Sequence, residues 1–242
     1  MRKHIPNLFT LLNLACGSVA VVFALEGQWR WAVYLMLVSA VFDFLDGFAA
    51  RLLGAGSDTG KQLDSLADMV TFGILPAVMV YAIFRQEFRL EGGMEVPVAL
   101  QWIMQGGILL IPILSAIRLA RFNVRAGDSE FFSGLPTPAH ALFWAGLYWQ
   151  IMQSETLFGH HINPFFLWTV MLIMGFYMIV PLPMISLKFS NFRIRGNLIR
   201  YLLLLISALI LGFTGISGLT LVVLCYILLS LLNLLLQLRV SS

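Results

Sequence analysis

Between Val41 and Asp68 the chain reads VFDFLDGFAARLLGAGSDTGKQLDSLAD, and four aspartates, Asp43, Asp46, Asp64 and Asp68, stand in or beside two strongly apolar segments. A carboxylate inside a spanning helix costs about 2.5–3.5 kcal/mol on insertion scales, so such groups are rare and face a cavity, an ion or one another. Four so close together imply a bound cation. At about 100° per residue, Asp43 and Asp46 lie roughly 60° apart on one helix and Asp64 and Asp68 roughly 40° apart on the next. If the two helices are antiparallel neighbours joined by the stretch from Leu52 to Leu63, both pairs reach similar depth and converge on a hard divalent metal. Oxygen-only ligands favour Mg²⁺, Mn²⁺ or Ca²⁺ over zinc.

The rest of the chain supplies the membrane. Hydrophobic residues make up 60% of it and charged residues only 11%, at a mean hydropathy of +0.89, which is too apolar for a soluble domain of 242 residues. We expect an all-α polytopic membrane bundle. Apolar runs of crossing length suggest eight spans, at about Leu8–Leu25, Trp31–Arg51, Leu63–Phe84, Val98–Ile117, Ala139–Met152, Phe165–Leu182, Leu198–Ile216 and Leu219–Leu238. The fifth is short and the last two are barely separated, so six or seven are the alternatives. No soluble domain or convincing repeat interrupts them, and the chain reads as one domain over residues 1–242.

Orientation follows from the basic residues. With the N-terminus inside, 12 of the 15 lie on the inner side, leaving only Arg30, Arg85 and Arg89 outside. This places both termini and the acidic cluster at the cytoplasmic face of the cell membrane. A net charge of +3 with cations at helix ends gives nucleic-acid binding little support. Leu14-Ala15-Cys16-Gly17 hints at a lipoprotein cleavage site. Asn13 stands where such a signal needs leucine, however, and the apolar run continues to Leu25, so we expect a retained first span. Cys16 and Cys225 fall within spans and read as buried free thiols. His160-His161, in an outer loop without carboxylate partners, is not expected to bind metal.

Taken together, the acidic residues follow the pattern Asp43-x2-Asp46-Gly47-x2-Ala50-Arg51-x8-Gly60-x3-Asp64-x3-Asp68. It resembles the signature of the CDP-alcohol phosphotransferase family at every defined position. Chemistry gives the pattern a rationale. A CDP-linked lipid presents a doubly charged pyrophosphate, and carboxylate-held metal can neutralise it. Gly47 and Ala50 leave room for a close ligand, and the planar fork of Arg51 suits phosphate. Gly60, in a polar stretch with Ser57, Asp58 and Thr59, would let the chain bend into the third helix.

The resemblance implies that Asp43, Asp46, Asp64 and Asp68 bind Mg²⁺ or Mn²⁺, two ions in all, and that Asp68 is also the general base. It implies that Gly47, Ala50, Arg51, Ser57 and Gly60 line the CDP-diacylglycerol pocket. Ile5-Pro6-Asn7-Leu8-Phe9-Thr10 resembles the family's entry segment, where Asn7 and Thr10 approach the nucleotide.

The motif does not specify the acceptor alcohol. Two further stretches, IRLARFN at 117–123 and FSGLPTPA at 132–139, resemble the membrane-integral phosphatidylserine synthase branch, as do IPNLFTLLNL and the Lys188-Phe189-Ser190 region. That likeness runs to about Arg193 and omits the last two spans, about 198–238. It implies L-serine as acceptor, phosphatidylserine and CMP as products, and a homodimer. Arg118, Arg121 and Arg125 recur along one helical stripe, and an arginine can hold the serine carboxylate bidentately. We therefore take Arg118, Arg121 and Lys188 as serine-site candidates. Another acceptor, such as glycerol 3-phosphate or an inositol phosphate, is one alternative. The cation site of a secondary transporter is another, although it leaves Gly47, Ala50, Arg51 and Gly60 unexplained.

Overall fold

A computed structural model describes residues 5–55, 57–87, 97–124, 134–154, 163–185 and 197–240, with side chains to residue 236 in the last helix. Their regular structure is helical. The first helix, α1 (Ile5–Leu25), buries Pro6, Thr10, Asn13, Gly17, Ala20 and Ala24, a stripe at alternating spacings of four and three. Mostly small residues on that stripe allow close backbone approach, the usual basis of helix association where lipid removes the hydrophobic driving force. Gly27, at φ 78°, reverses the chain into α2 (Trp29–Leu53), whose buried stripe runs from Ala32 through Met36 and Ser39 to Asp46 and Ala49. Asp43 and Asp46 lie on the face that packs against α1.

Helix α2 stops at Gly54, which takes the left-handed conformation at φ 57° while the N–H of Ala55 reaches back to the Ala50 carbonyl at 3.0 Å. Helix α3 (Asp58–Asp68) begins at once, capped by the Ser57 hydroxyl, which accepts from the Gly60 N–H at 3.0 Å. The expected bend at Gly60 is thus misplaced. Gly54 makes the turn, and Gly60 lies in the first helical turn, where a Cβ would meet Asn7 Oδ1 at 3.0 Å.

After Asp68 the backbone widens into a π-helical turn, Met69–Ile74, and continues as α4 (Leu75–Glu87), one rod of 30 residues. Helices α5 (Val98–Gly107) and α6 (Leu110–Val124) form a second interrupted rod. Helix α7 (Thr137–Ser154) is the centre of the bundle, with Thr137, His140, Phe143, Trp144, Tyr148 and Ile151 all buried. Its entry is pinned by Gly134 at φ 80°, whose N–H bonds Leu182 O at 2.8 Å, and by Leu135 N–H on Tyr177 O at 2.8 Å. A Cβ on Gly134 would fall 2.5 Å from the Met178 carbonyl.

Helix α8 (Pro164–Ile179) is capped by Asn163 and ends earlier than expected. Val180 precedes Pro181 and is driven to an extended ψ of 130°. Helices α9 (Leu198–Thr214) and α10 (Leu219–Val240) form a hairpin through the short 3₁₀ turn Gly215–Gly218. Helix α10 packs on α7, where Gly146 admits Thr220 and the Thr220 hydroxyl donates to Phe143 O at 2.9 Å.

Each expected span overlaps a helical segment, but among the described residues five stretches, rather than eight, are long and apolar enough to cross a membrane: Ile5–Leu25, Trp29–Leu53, Asp58–Glu87, Val98–Val124 and Leu198–Leu236. Large apolar side chains such as Trp102, Phe166 and Phe213 are exposed, as lipid contact requires. The protein is an integral membrane helical bundle.

The close contact at Gly146 yields a stability test. A Cβ there would lie 2.5 Å from the Thr220 backbone nitrogen, whereas one on Gly212 meets nothing within 4 Å. We expect Gly146→Ala to destabilise by about 1–3 kcal/mol, a typical cost of overpacking. A lowered thermal midpoint in detergent, with Gly212→Ala near wild type, is the expected result.

Candidate active site

The α1–α2 hairpin and the α3 rod bring the four aspartates together at one end of the bundle. Ligand oxygens of Asp43, Asp64 and Asp68 all lie within 4.8 Å of one another. Asp43 and Asp68 come within hydrogen-bonding reach, and Asp46 adds Coulombic repulsion to all three. Asp68 is 9% exposed and Asp46 6%. Oδ1 of Asp64 is buried without a hydrogen-bond partner. Like charges this close, in so little water, require a proton or a cation between them. The donor set is oxygen only, compact and anionic, with an orphaned carboxylate oxygen, so it fits a hard divalent cation.

Asp46 stands slightly apart. Its Oδ2 accepts from the Thr10 hydroxyl at 2.8 Å, and that hydroxyl also lies 3.2 Å from Pro6 O. Thr10 is therefore committed beneath the cluster, with 2% of its surface exposed.

Behind Asp68 is a polar network absent from the sequence expectations. Asn13 Nδ2 donates to Asp68 Oδ1 at 3.3 Å. Its Oδ1 accepts from Thr71 at 2.8 Å and lies 2.8 Å from the Ser39 hydroxyl, which is also 2.6 Å from Asn13 O. With hydroxyls around Oδ1, the amide has one orientation left, which aims Nδ2 at the carboxylate. Thr71 sits in the π-helical turn, a local irregularity that often marks functional positions. Gly17 makes room for it, since a Cβ there would collide with Thr71 Oγ1. The available signal was spacing: Asn13 follows Thr10 by three, and Thr71 follows Asp68 by three, in otherwise apolar runs.

The remaining candidates separate into groups. Gly47, Ala50 and Arg51 lie on α2 beyond the aspartates, and the nearest atom to a Cβ on Gly47 is Arg51 Nη1 at 3.8 Å. Arg51 is exposed, as is Ser57, whose hydroxyl caps α3. Asn7 adjoins Gly60 across the α1–α3 contact. Lys61, three residues before Asp64 on α3, donates to Asn123 O at 2.9 Å, and Asn123 donates in turn to Ser65 at 2.7 Å, tying α3 to α6.

The arginine stripe divides. Arg118 turns inward, donating through Nη1 to Thr137 Oγ1 at 3.1 Å, close enough to Asp68 and Tyr226 to interact electrostatically. Arg121 is exposed and donates to Ile179 O at 3.4 Å. Lys188 and Arg125, with His160 and His161, lie outside the described residues. Thr137, His140 and Tyr226 surround Arg118 from α7 and α10.

Fold and site define a helical integral membrane protein with a largely buried carboxylate centre. Residues 3–185 match the family model for CDP-alcohol phosphatidyltransferase, and the chain belongs to that family. It is 39% identical over 150 residues to a CDP-diacylglycerol–serine O-phosphatidyltransferase of Mycobacterium leprae, covering 59% of this chain and 46% of that one. The enzyme of the same name from Helicobacter pylori is 32% identical over 205 residues, 83% of this chain and 78% of that one. An archaetidylserine synthase of Methanothermobacter thermautotrophicus is 33% identical over 153 residues, covering 62% and 60%. The match spans about half the length of the mycobacterial relatives.

A cation that relieves carboxylate repulsion should stabilise the fold. Added Mn²⁺ or Mg²⁺ should raise the thermal midpoint of chelator-treated protein, by the equivalent of about 2.7 kcal/mol at a hundred times the dissociation constant. Asp64→Asn removes one repelling charge, so it should raise the metal-free midpoint and shrink the metal-induced rise. A wild-type midpoint indifferent to either ion would count against a cation at this centre.

Proposed function

We propose that the protein transfers a phosphatidyl group from CDP-diacylglycerol to the hydroxyl of L-serine, giving phosphatidylserine and CMP. The observation that carries the reading is the convergence of Asp43, Asp64 and Asp68, at the family spacing, on one buried point with Asp68 braced by Asn13. Family membership supports the CDP-linked donor, and the names of the relatives support serine. In this reading Asp43, Asp46, Asp64 and Asp68 hold two divalent ions, Mg²⁺ or Mn²⁺. When bound, such ions neutralise the pyrophosphate and the charge left on CMP.

The chain's own residues do the rest. Asp68 takes the proton of the serine hydroxyl, with the Asn13 amide holding one carboxylate oxygen so that the other faces the acceptor. The serine oxygen forms a bond to the phosphorus that carries diacylglycerol, and the bond from that phosphorus to the CMP oxygen breaks. Gly47 and Ala50 leave space for the nucleotide, with Arg51, Asn7, Ser57 and Gly60 around the entrance. Arg118, the arginine that turns inward beside Asp68, binds the acceptor. Arg121 remains a candidate for the same site, as does Lys188 on the strength of the family likeness alone. The bias of basic residues supports a cytoplasmic position for this end of the bundle. One catalytic domain, working as a homodimer, accounts for the chain.

Purified protein in detergent, given CDP-diacylglycerol and radiolabelled serine with and without Mn²⁺, should form labelled phosphatidylserine only with the metal. Product from glycerol 3-phosphate in place of serine would redirect the acceptor assignment. Asp43→Asn, Asp46→Asn and Asp64→Asn should each abolish turnover, because an amide keeps the shape and loses the charge. Wild-type activity in any one would remove that residue from the metal site. Asp68→Asn should lower kcat by on the order of 10²–10⁴ with a smaller effect on donor binding. Parallel collapse of donor affinity would make Asp68 chiefly a ligand.

A further inference from the structure

His140 lies in the first turn of α7 with none of its surface exposed. Its Nε2 receives the indole N–H of Trp144 at 3.0 Å. An indole nitrogen only donates, so Nε2 must present its lone pair, and the ring proton resides on Nδ1. Nδ1 is buried and has no hydrogen-bond partner. It is an N–H donor with nothing to receive it.

A neighbouring residue holds a second such donor. Arg118 uses Nη1 on Thr137, three residues before His140 and on the same face of α7, while its Nε is buried without an acceptor. Arg118 and His140 are also electrostatic neighbours. A buried donor left unsatisfied costs about 1–3 kcal/mol, so two on neighbouring residues, one of them a cation, are not a resting arrangement for a packed core. Their chemical complement is an anionic group with two acceptor oxygens. A carboxylate meets that description, and Asp68 interacts electrostatically with Arg118.

We propose that His140 Nδ1–H and Arg118 Nε–H together receive the carboxylate of the acceptor, making His140 a binding residue that selects a carboxylate-bearing alcohol. This inference rests on the serine reading above. It also explains why Trp144 is bonded to His140: the indole fixes the tautomer that leaves Nδ1 as donor.

Two amide substitutions separate this role from simple packing, because the asparagine amide falls near Nδ1 and the glutamine amide near Nε2. His140→Gln keeps an acceptor for Trp144 and loses the Nδ1 donor. Its serine KM should rise on the order of 10- to 100-fold, with CDP-diacylglycerol KM and thermal midpoint near wild type. His140→Asn should do the reverse, losing thermal stability while holding serine KM within about threefold of wild type. The opposite ranking, with serine KM unchanged in His140→Gln, would reduce His140 to a partner of Trp144.

A measurement on wild-type protein is independent of variant folding. Alanine, which has the carboxylate but no hydroxyl, should inhibit competitively against serine, and alaninol, which lacks the carboxylate, should not. Equal inhibition by both overturns the carboxylate subsite. Wild-type protein that turns over no serine overturns the function reading and this inference with it, whereas serine turnover with an unchanged KM in His140→Gln overturns this inference alone.

Discussion

Four carboxylates within a few side-chain lengths of one another, at the end of an apolar bundle, form the constraint around which the other elements are arranged. Mutual repulsion and desolvation both oppose such a cluster, and the nearby cations on α2 and α3 do little to relieve them: Lys61 goes to a backbone carbonyl of α6, and Arg51 is exposed, which leaves Arg118 as an electrostatic neighbour of Asp68 alone among the four aspartates. What the chain supplies instead is neutral hydrogen bonding from α1. Thr10 bonds Asp46 and Asn13 bonds Asp68, each from one stripe of one helix. These bonds orient the carboxylates without cancelling their charge, which preserves the field that a divalent cation would occupy.

That arrangement dictates the character of α1. A helix whose polar residues must touch the aspartates needs close backbone approach along its length, hence Gly17, Ala20 and Ala24 on the same stripe. The π-helical turn after Asp68 is part of the same fit. Thr71 lies within that widened turn, which sets its hydroxyl 2.8 Å from the Asn13 amide oxygen. Gly17 is then required because the threonine fills the place where any Cβ would stand.

The far side of the site depends on helices outside the strongest part of the family likeness. The family match ends at residue 185, yet both backbone polar groups of Ile185 are held by α10: Tyr226 OH donates to its carbonyl at 3.0 Å, and its N–H donates to Ser230 at 3.2 Å. Tyr226 is also an electrostatic neighbour of Arg118. The C-terminal hairpin therefore secures the segment that follows α8 and closes the wall around Arg118. In contrast, α9 buries only Leu203 and turns the rest of its leucines outward.

The sequence by itself determined the helical membrane class, the positions of the helices and the acidic centre, because these depend on local hydropathy and on fixed spacing along single helices. Asp43, Asp46, Asp64 and Asp68 were legible for that reason: a charge in an apolar run is costly wherever the run folds. Misplaced boundaries came from competing local chemistry, as at Val180, where a following proline ends α8, and at Gly54, where a left-handed residue ends α2 ahead of Gly60. Tertiary structure alone decided which polar residues share a partner. Asn13, Ser39 and Thr71 lie on three different elements, and no periodicity in one helix shows that their faces meet. Arg118 and Arg121 are only roughly 60° apart on one helix, yet the packing of α7 and α10 turns one toward Asp68 and leaves the other on the exposed end of α8. His140 was indistinguishable from a packed histidine until Trp144 occupied one of its nitrogens and left the other without a partner.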